Sequence, residues 1–217
     1  MEAFWEQVLE ADTELFLWLN QSLNGLDIPF LRALLRFANQ FGAEMIIGVL
    51  LIAVVVMTNS HRARIRALLD VGASMGLVAG FVQLYKAAFP RYRPQHVFQD
   101  TPDQIHIAFN EIASRSSFPS GHTAMAFGVA TLLTLWAFGT GERWKGWTVF
   151  VGAYLLAALC GLARIYGALH YPLDVLAGMT AGLAGPLVVH GAMRLWRGSR
   201  TQPAETPVAG SPDQPAA

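Results

Sequence analysis

The chain has 217 residues, of which 53% are apolar and only 14% charged. Soluble domains carry about 25% charged residues, so this sequence lacks much of the charge that a water-facing surface needs. Its 15 basic and 15 acidic residues balance to zero, which excludes the net basic face of a nucleic-acid binder, and the apolar content excludes disorder along the whole length. A single cysteine, Cys160, leaves no intrachain disulfide and no cysteine-based zinc site. What remains is an integral membrane protein or an unusually apolar soluble one.

The first residues are acidic (Glu2, Glu6, Glu10, Asp12, Glu14) and lack the basic start of a signal peptide. Residues 4–23 alternate apolar and charged positions, which predicts an amphipathic helix lying at a membrane interface. Asn24-Gly25 marks a turn. Residues 29–41 are apolar but carry Arg32 and Arg36, so they either lead into a spanning helix or lie on the surface. Five windows then lack Asp, Glu, Lys and Arg altogether: 45–60, 71–85, 123–141, 146–163 and 175–193. With its flanks, each approaches the roughly 17–25 residues that a spanning helix needs. One such window fits a buried core helix; five in succession predict an all-α, polytopic membrane bundle of five to six spanning helices. The last 20 residues, rich in Pro and Ala, read as a disordered tail. The expected organisation is an interfacial segment at 1–28, a membrane domain at 29–197 and a tail at 198–217.

If the five windows alternate in direction, one side collects Arg62, Arg64, Arg66, Arg143, Lys145, Arg194, Arg197 and Arg200. The other holds Arg32, Arg36, Lys86, Arg91, Arg93, Arg115 and Arg164. The positive-inside rule makes the first side cytoplasmic, with the C-terminus inside and the opposite face outside. The expected location is a bacterial-type inner membrane, crossed several times.

That opposite face gathers the reactive residues. Lys86, Arg93 and Arg164, His122 and His170, and Asp174 all fall at window ends that alternation brings to one side. Ionisable groups at membrane depth are costly and are functional candidates by default. Taken alone, Arg91 or Arg115 reads as a helix-end anchor with a snorkelling side chain; six groups from four helices do not. Arg recognises phosphate oxygens through paired donors. Ser120 is a natural N-cap, the amides of Gly121 and His122 form an anion site, and Gly121 lets a phosphate approach the backbone. These residues offer no carboxylate set for Mg²⁺ and no third His or Cys beside His122 and His170 for zinc, so no metal or other cofactor is expected. Pro172 suits a first helical position, which puts Asp174 in the first turn, able to reach back to His170. A carboxylate on one ring nitrogen frees the other for attack, and His122 is placed to protonate a leaving oxygen.

Three motifs follow from these residues. Lys86 precedes Arg93-Pro94 by seven residues, Pro119-Ser120-Gly121-His122 stands before the third window, and Ala163-Arg164 precedes His170 and then Asp174. Together they resemble the type 2 phosphatidic acid phosphatase (PAP2) superfamily, which also includes vanadium-dependent haloperoxidases. The resemblance implies a helical-bundle lipid phosphatase with His170 as nucleophile, Asp174 orienting it and His122 as general acid. Lys86, Arg93, Ser120, Gly121 and Arg164 would bind the phosphate. Ala163 stands where the family has Ser, and activity is expected to survive that change. The short loop 95–118 resembles small undecaprenyl-diphosphate phosphatases; phosphatidic acid and phosphatidylglycerol phosphate are the alternative substrates. His96, Asp100, Asp103, His106 and Glu111 in it read as solvated. The expected partners are a lipid phosphate and membrane lipids, not nucleic acid; oligomeric state is left open. From a different class, a small anion transporter would use the cations but has no need for a His–Asp pair plus a second His.

Overall fold

A computed structural model describes residues 2–40, 49–50, 52–54, 56, 58–109 and 116–199. The described chain is almost entirely helical. Helix α1 covers Glu2–Gly25 and α2 Pro29–Gln40. Helices α3 (His61–Ala88), α4 (Gly121–Gly139), α5 (Arg143–Tyr166) and α6 (Pro172–Ser199) follow. Those four are long and apolar enough to cross a membrane. The window at 45–60 lies largely outside the described residues. Its described positions 49, 50, 52–54 and 56 are helical. The tail beyond Ser199 and Glu111 also lie outside.

The helix ends follow local chemistry. Ser60 caps α3, its side chain accepting from the Ala63 amide at 3.2 Å. Ser120 caps α4 in the same way, accepting from the Thr123 amide at 3.4 Å and the Thr123 hydroxyl at 2.9 Å. Each serine satisfies one of the orphan donors of a first turn. Pro172 opens α6, where its missing N–H costs nothing.

Helix α4 is the central element. It packs against α3, α5 and α6. Val78 and Val82 of α3, Phe127 and Ala130 of α4, and Ala157 and Cys160 of α5 form the main core, joined by Leu50 and Val54. Between α4 and α6 the backbones nearly touch. A Cβ on Gly178 would lie 2.4 Å from the Ser120 carbonyl, and one on Gly182 would lie 2.3 Å from the Ala124 carbonyl. Small residues permit such approach where no hydrophobic force operates between helices. The outward faces stay apolar: Leu69, Leu84, Leu155 and Val188 are all more than half exposed. In water that would be a liability; against lipid it is the required surface.

Helices α1 and α2 cover one end of this bundle. Phe16 of α1 is fully buried with Phe98, Ile105, Ile165 and Tyr171. Leu35 and Ala38 of α2 pack on Ala163 and Tyr166. Helix α1 also exposes Phe4, Trp5, Leu9, Leu15 and Trp18.

Candidate active site

The C-terminus of α5 folds back on itself. The Arg164 carbonyl accepts from the amides of Leu169 at 2.9 Å and His170 at 3.2 Å. Ala168 makes the reversal with φ of 56°, a left-handed conformation that glycine usually supplies at a helix end. His170 is thereby brought to the start of α6. There the Asp174 carboxylate accepts from the Tyr171 amide at 2.9 Å, an acid capping the positive end of its own helix.

His170 and Asp174 are almost fully buried. His170 Nδ1 lies 3.5 Å from Asp174 Oδ2. Ser117 Oγ donates to that same oxygen at 2.5 Å and sits 3.4 Å from His170 Nδ1. Burial pushes the His170 pKa down to about 3, and the charges of Arg93 and Arg164 add to this against the pull of Asp174. The imidazole is therefore neutral at physiological pH. With Nδ1 turned to the carboxylate, Nε2 carries the free lone pair.

The basic groups converge on the same end. Lys86 Nζ donates to the Ser116 carbonyl at 3.1 Å, and Arg93 Nε to the same oxygen at 3.3 Å. The backbones explain the meeting. Tyr92 and Ser116 form an antiparallel bridge, and the Ser117 amide donates to the Arg91 carbonyl at 2.7 Å. The pairing holds Arg93 beside the Ser116 carbonyl that it shares with Lys86, while Arg91 reaches Asp174 Oδ1 at 3.0 Å. Arg164 is 1% exposed, and its guanidinium donates to Asn39 Oδ1 at 2.6 Å.

The start of α4 is tied to the start of α6, because the Ser120 amide donates to the Asp174 carbonyl at 2.9 Å. Gly121 and half-buried His122 are the first two residues of α4 and stand at this end of the bundle. A Cβ on Gly121 would meet only Val82, at an ordinary 3.7 Å. Packing therefore does not require glycine there; an approaching ligand would.

Sequence comparison supplies the family. Residues 67–197, more than half of the chain, match the model of the PAP2 superfamily. The chain belongs to the PAP2 superfamily. It is 33% identical over 109 residues to the lipid A 1-phosphatase of Porphyromonas gingivalis, a match covering 50% of this chain and 20% of that protein. It is 23% identical over 180 residues to the undecaprenyl-diphosphatase of Sulfolobus acidocaldarius, covering 82% of this chain and 76% of that one. The crystal structure of Aquifex aeolicus LpxE superposes with a TM-score of 0.62 at 26% identity, over 82% of this chain and 94% of that one. Of three curated relatives, the chain spans only 20%, 41% and 51% of the length.

Around the PAP2 motifs stand residues that sequence reading missed. Ser117 lies two residues before the Pro119-Ser120-Gly121-His122 string, with nothing but its position to mark it. Asn39 of α2 had no signal at all. Arg91 is not the snorkelling anchor that its position suggested. Its NH1 pairs with Asp174 Oδ1 at 3.0 Å and Asp12 Oδ2 at 2.7 Å, and its guanidinium lies 3.8 Å over the Tyr171 ring. Asp12, read as one charge on an interfacial helix, is 5% exposed. Burial raises its pKa, opposed by the Leu173 amide and Arg91. The departure from the PAP2 pattern has a local reason: Ala163 is fully buried against Leu35 and Ala38, where a hydroxyl would face apolar side chains. His96 is partly buried, and Asp100, Asp103 and His106 are exposed.

Proposed function

We propose that the chain is an integral-membrane lipid phosphatase that works through a phosphohistidine at His170. The observation that carries this reading is the buried neutral His170 against Asp174, with Lys86, Arg93 and Arg164 drawn to the same end of the bundle. His170 Nε2 attacks phosphorus as the bond to the leaving oxygen breaks, and His122 gives that oxygen its proton. Water then attacks the phosphohistidine, His122 takes a proton from it, and inorganic phosphate leaves with His170 restored. Lys86, Arg93, Arg164 and the Gly121 and His122 amides stabilise the equatorial oxygens throughout. The 3.5 Å separation of His170 and Asp174 is of the kind that tightens once substrate is bound.

A lipid substrate is supported by an apolar cavity of about 550 Å³ beside Arg91, walled by Trp5, Leu9, Tyr85, Phe89 and Phe118. We favour undecaprenyl diphosphate, whose headgroup requires only a phosphate cradle, with phosphatidic acid or phosphatidylglycerol phosphate as alternatives. The sorting of Arg and Lys supports a bacterial-type inner membrane with the site outside and the C-terminus in the cytoplasm. An anion transporter would have the cations to bind its cargo, but it would leave His122, His170 and Asp174 without a task.

The test is phosphate release by the purified protein in EDTA, from undecaprenyl diphosphate, phosphatidic acid, phosphatidylglycerol phosphate and lipid A. Release from at least one, undiminished by EDTA, is expected. His170→Ala should lower it by ~10³-fold or more while the protein still folds, as for loss of a covalent nucleophile. Silence on all four lipids would overturn the reading.

A further inference from the structure

Asp174 has more partners than a His–Asp pair needs. Ser117, the Tyr171 amide and His170 crowd its Oδ2. Its Oδ1 faces Arg91 NH1 at 3.0 Å. A cation this close draws negative charge away from a carboxylate, and so weakens what that carboxylate can do for an imidazole on its other side. By itself, Arg91 would blunt the nucleophile.

Arg91 is not by itself. The same NH1 lies 2.7 Å from Asp12 Oδ2, closer than to Asp174. Asp12 comes from α1, far away in sequence. Its side chain is 3% exposed and that of Arg91 16%, so water screens the trio little. The other oxygen of Asp12 accepts from the Leu173 amide at 2.9 Å. Leu173 directly precedes Asp174. One carboxylate thus neutralises the counter-ion of Asp174 and also fixes the backbone turn that bears it. The trio is held from below by the Tyr171 ring, over which the Arg91 guanidinium stacks.

We infer that Asp12 and Arg91 are positioning residues for the His170–Asp174 pair, and that α1 is in this way part of the catalytic apparatus. Arg91 locks the Asp174 carboxylate in the rotamer that faces His170. Asp12 shares the charge of Arg91, so that Asp174 is held without being neutralised. Asp12 lies outside the three PAP2 motifs, and Arg91 stands at a position that the first of them leaves unspecified. This inference rests on the phosphatase reading given above.

The experiment measures kcat and KM for the lipid phosphate that wild type turns over best. The variants are Asp12→Asn, Arg91→Ala, the pair together, and Glu10→Gln as an exposed control on α1. Asp12→Asn keeps the shape and the Leu173 contact but removes the charge. Its kcat should fall about tenfold with KM within about twofold, the scale on which outer partners of a reactive group act. In the Arg91→Ala background the same change should cost no more than about twofold, because Asp12 then has no cation to balance. Glu10→Gln should match wild type. A merely structural Asp12 would lower the thermal midpoint of the detergent-solubilised protein and leave kcat of the folded fraction unchanged; that result overturns the inference. So does an equal loss from Asp12→Asn with and without Arg91. Should Asp12→Asn not fold, Arg91→Lys gives the reading instead. It keeps the charge but loses the planar guanidinium whose stacking on Tyr171 holds one nitrogen between the two carboxylates, so a lowered kcat supports the inference and an unchanged one overturns it. If wild type itself releases no phosphate, the phosphatase reading fails and this inference with it; if wild type is active and Asp12→Asn equals it, only this inference fails.

Discussion

His170 shows how one residue's surroundings set its chemistry. A solvent-exposed imidazole near pH 6.5 is half protonated, and a protonated nitrogen cannot attack phosphorus. Burial moves that titration down to about 3, so His170, the proposed nucleophile, stays neutral near pH 7. The sign for stability follows from linkage. Between about 6.5 and about 3 the unfolded chain holds a proton on His170 that the folded chain refuses, so folding stability falls as pH falls through that window. Thermal midpoints of the detergent-solubilised protein should therefore drop from pH 7 to pH 5. His170→Asn, which has no titrating group, should reduce that drop; an identical drop in the variant would show that the proton is taken up elsewhere.

At the scale of elements, the seam between α4 and α6 sets the geometry of the candidate site. His122 stands in the first turn of α4 and Asp174 in the first turn of α6. Gly182→Ala would place a methyl 2.3 Å from a backbone carbonyl that cannot move aside. We expect a loss of about 1–3 kcal/mol, the usual range for overpacking. Gly152 on α5 has nothing within 4 Å of an added Cβ. Gly152→Ala should leave stability unchanged, or raise it by about 0.5–1 kcal/mol through helix propensity. Thermal unfolding of both variants in detergent checks the contrast. The spans at α3 to α6 were legible because absence of charge is a strong local signal. His122, His170, Asp174, Lys86 and Arg93 were legible because reactive residue types stand at fixed spacing beside those spans. Ser117, Arg91, Asn39 and Asp12 were not. Their partners lie 57, 83, 125 and 161 residues away in sequence, and nothing local reports a contact made across the fold. Asp12 was further disguised as one of several acids on an amphipathic helix.

For the molecule as a whole, the two ends of the bundle differ in their charged residues. The ends of α3 and α5 that carry Lys86 and Arg164 share one side with the starts of α4 and α6. Arg62, Arg64 and Arg66 at the start of α3, and Arg143 and Lys145 at the start of α5, mark the other. A reporter active only in the cytoplasm, fused after residue 217, should be active, and one active only outside should be silent. The reverse pattern would turn the site inward and overturn the proposed orientation.

The length of chain that recognises itself as PAP2 is shorter than the length that builds the pocket. Residues 67–197 hold every motif, yet Asp12, Asn20 and Asn39 lie before them. Asn20 is fully buried; its amide nitrogen donates to the carbonyls of Ile165 and Tyr166 at the end of α5, while Asp12 receives the Leu173 amide at the start of α6. One helix therefore clasps both sides of the segment that carries His170. A protein engineer who transplanted only the motif-bearing stretch would keep every signature residue and lose the brace that aims them, so the unit to be moved between scaffolds, or inherited intact, is the motif stretch together with its leading helices.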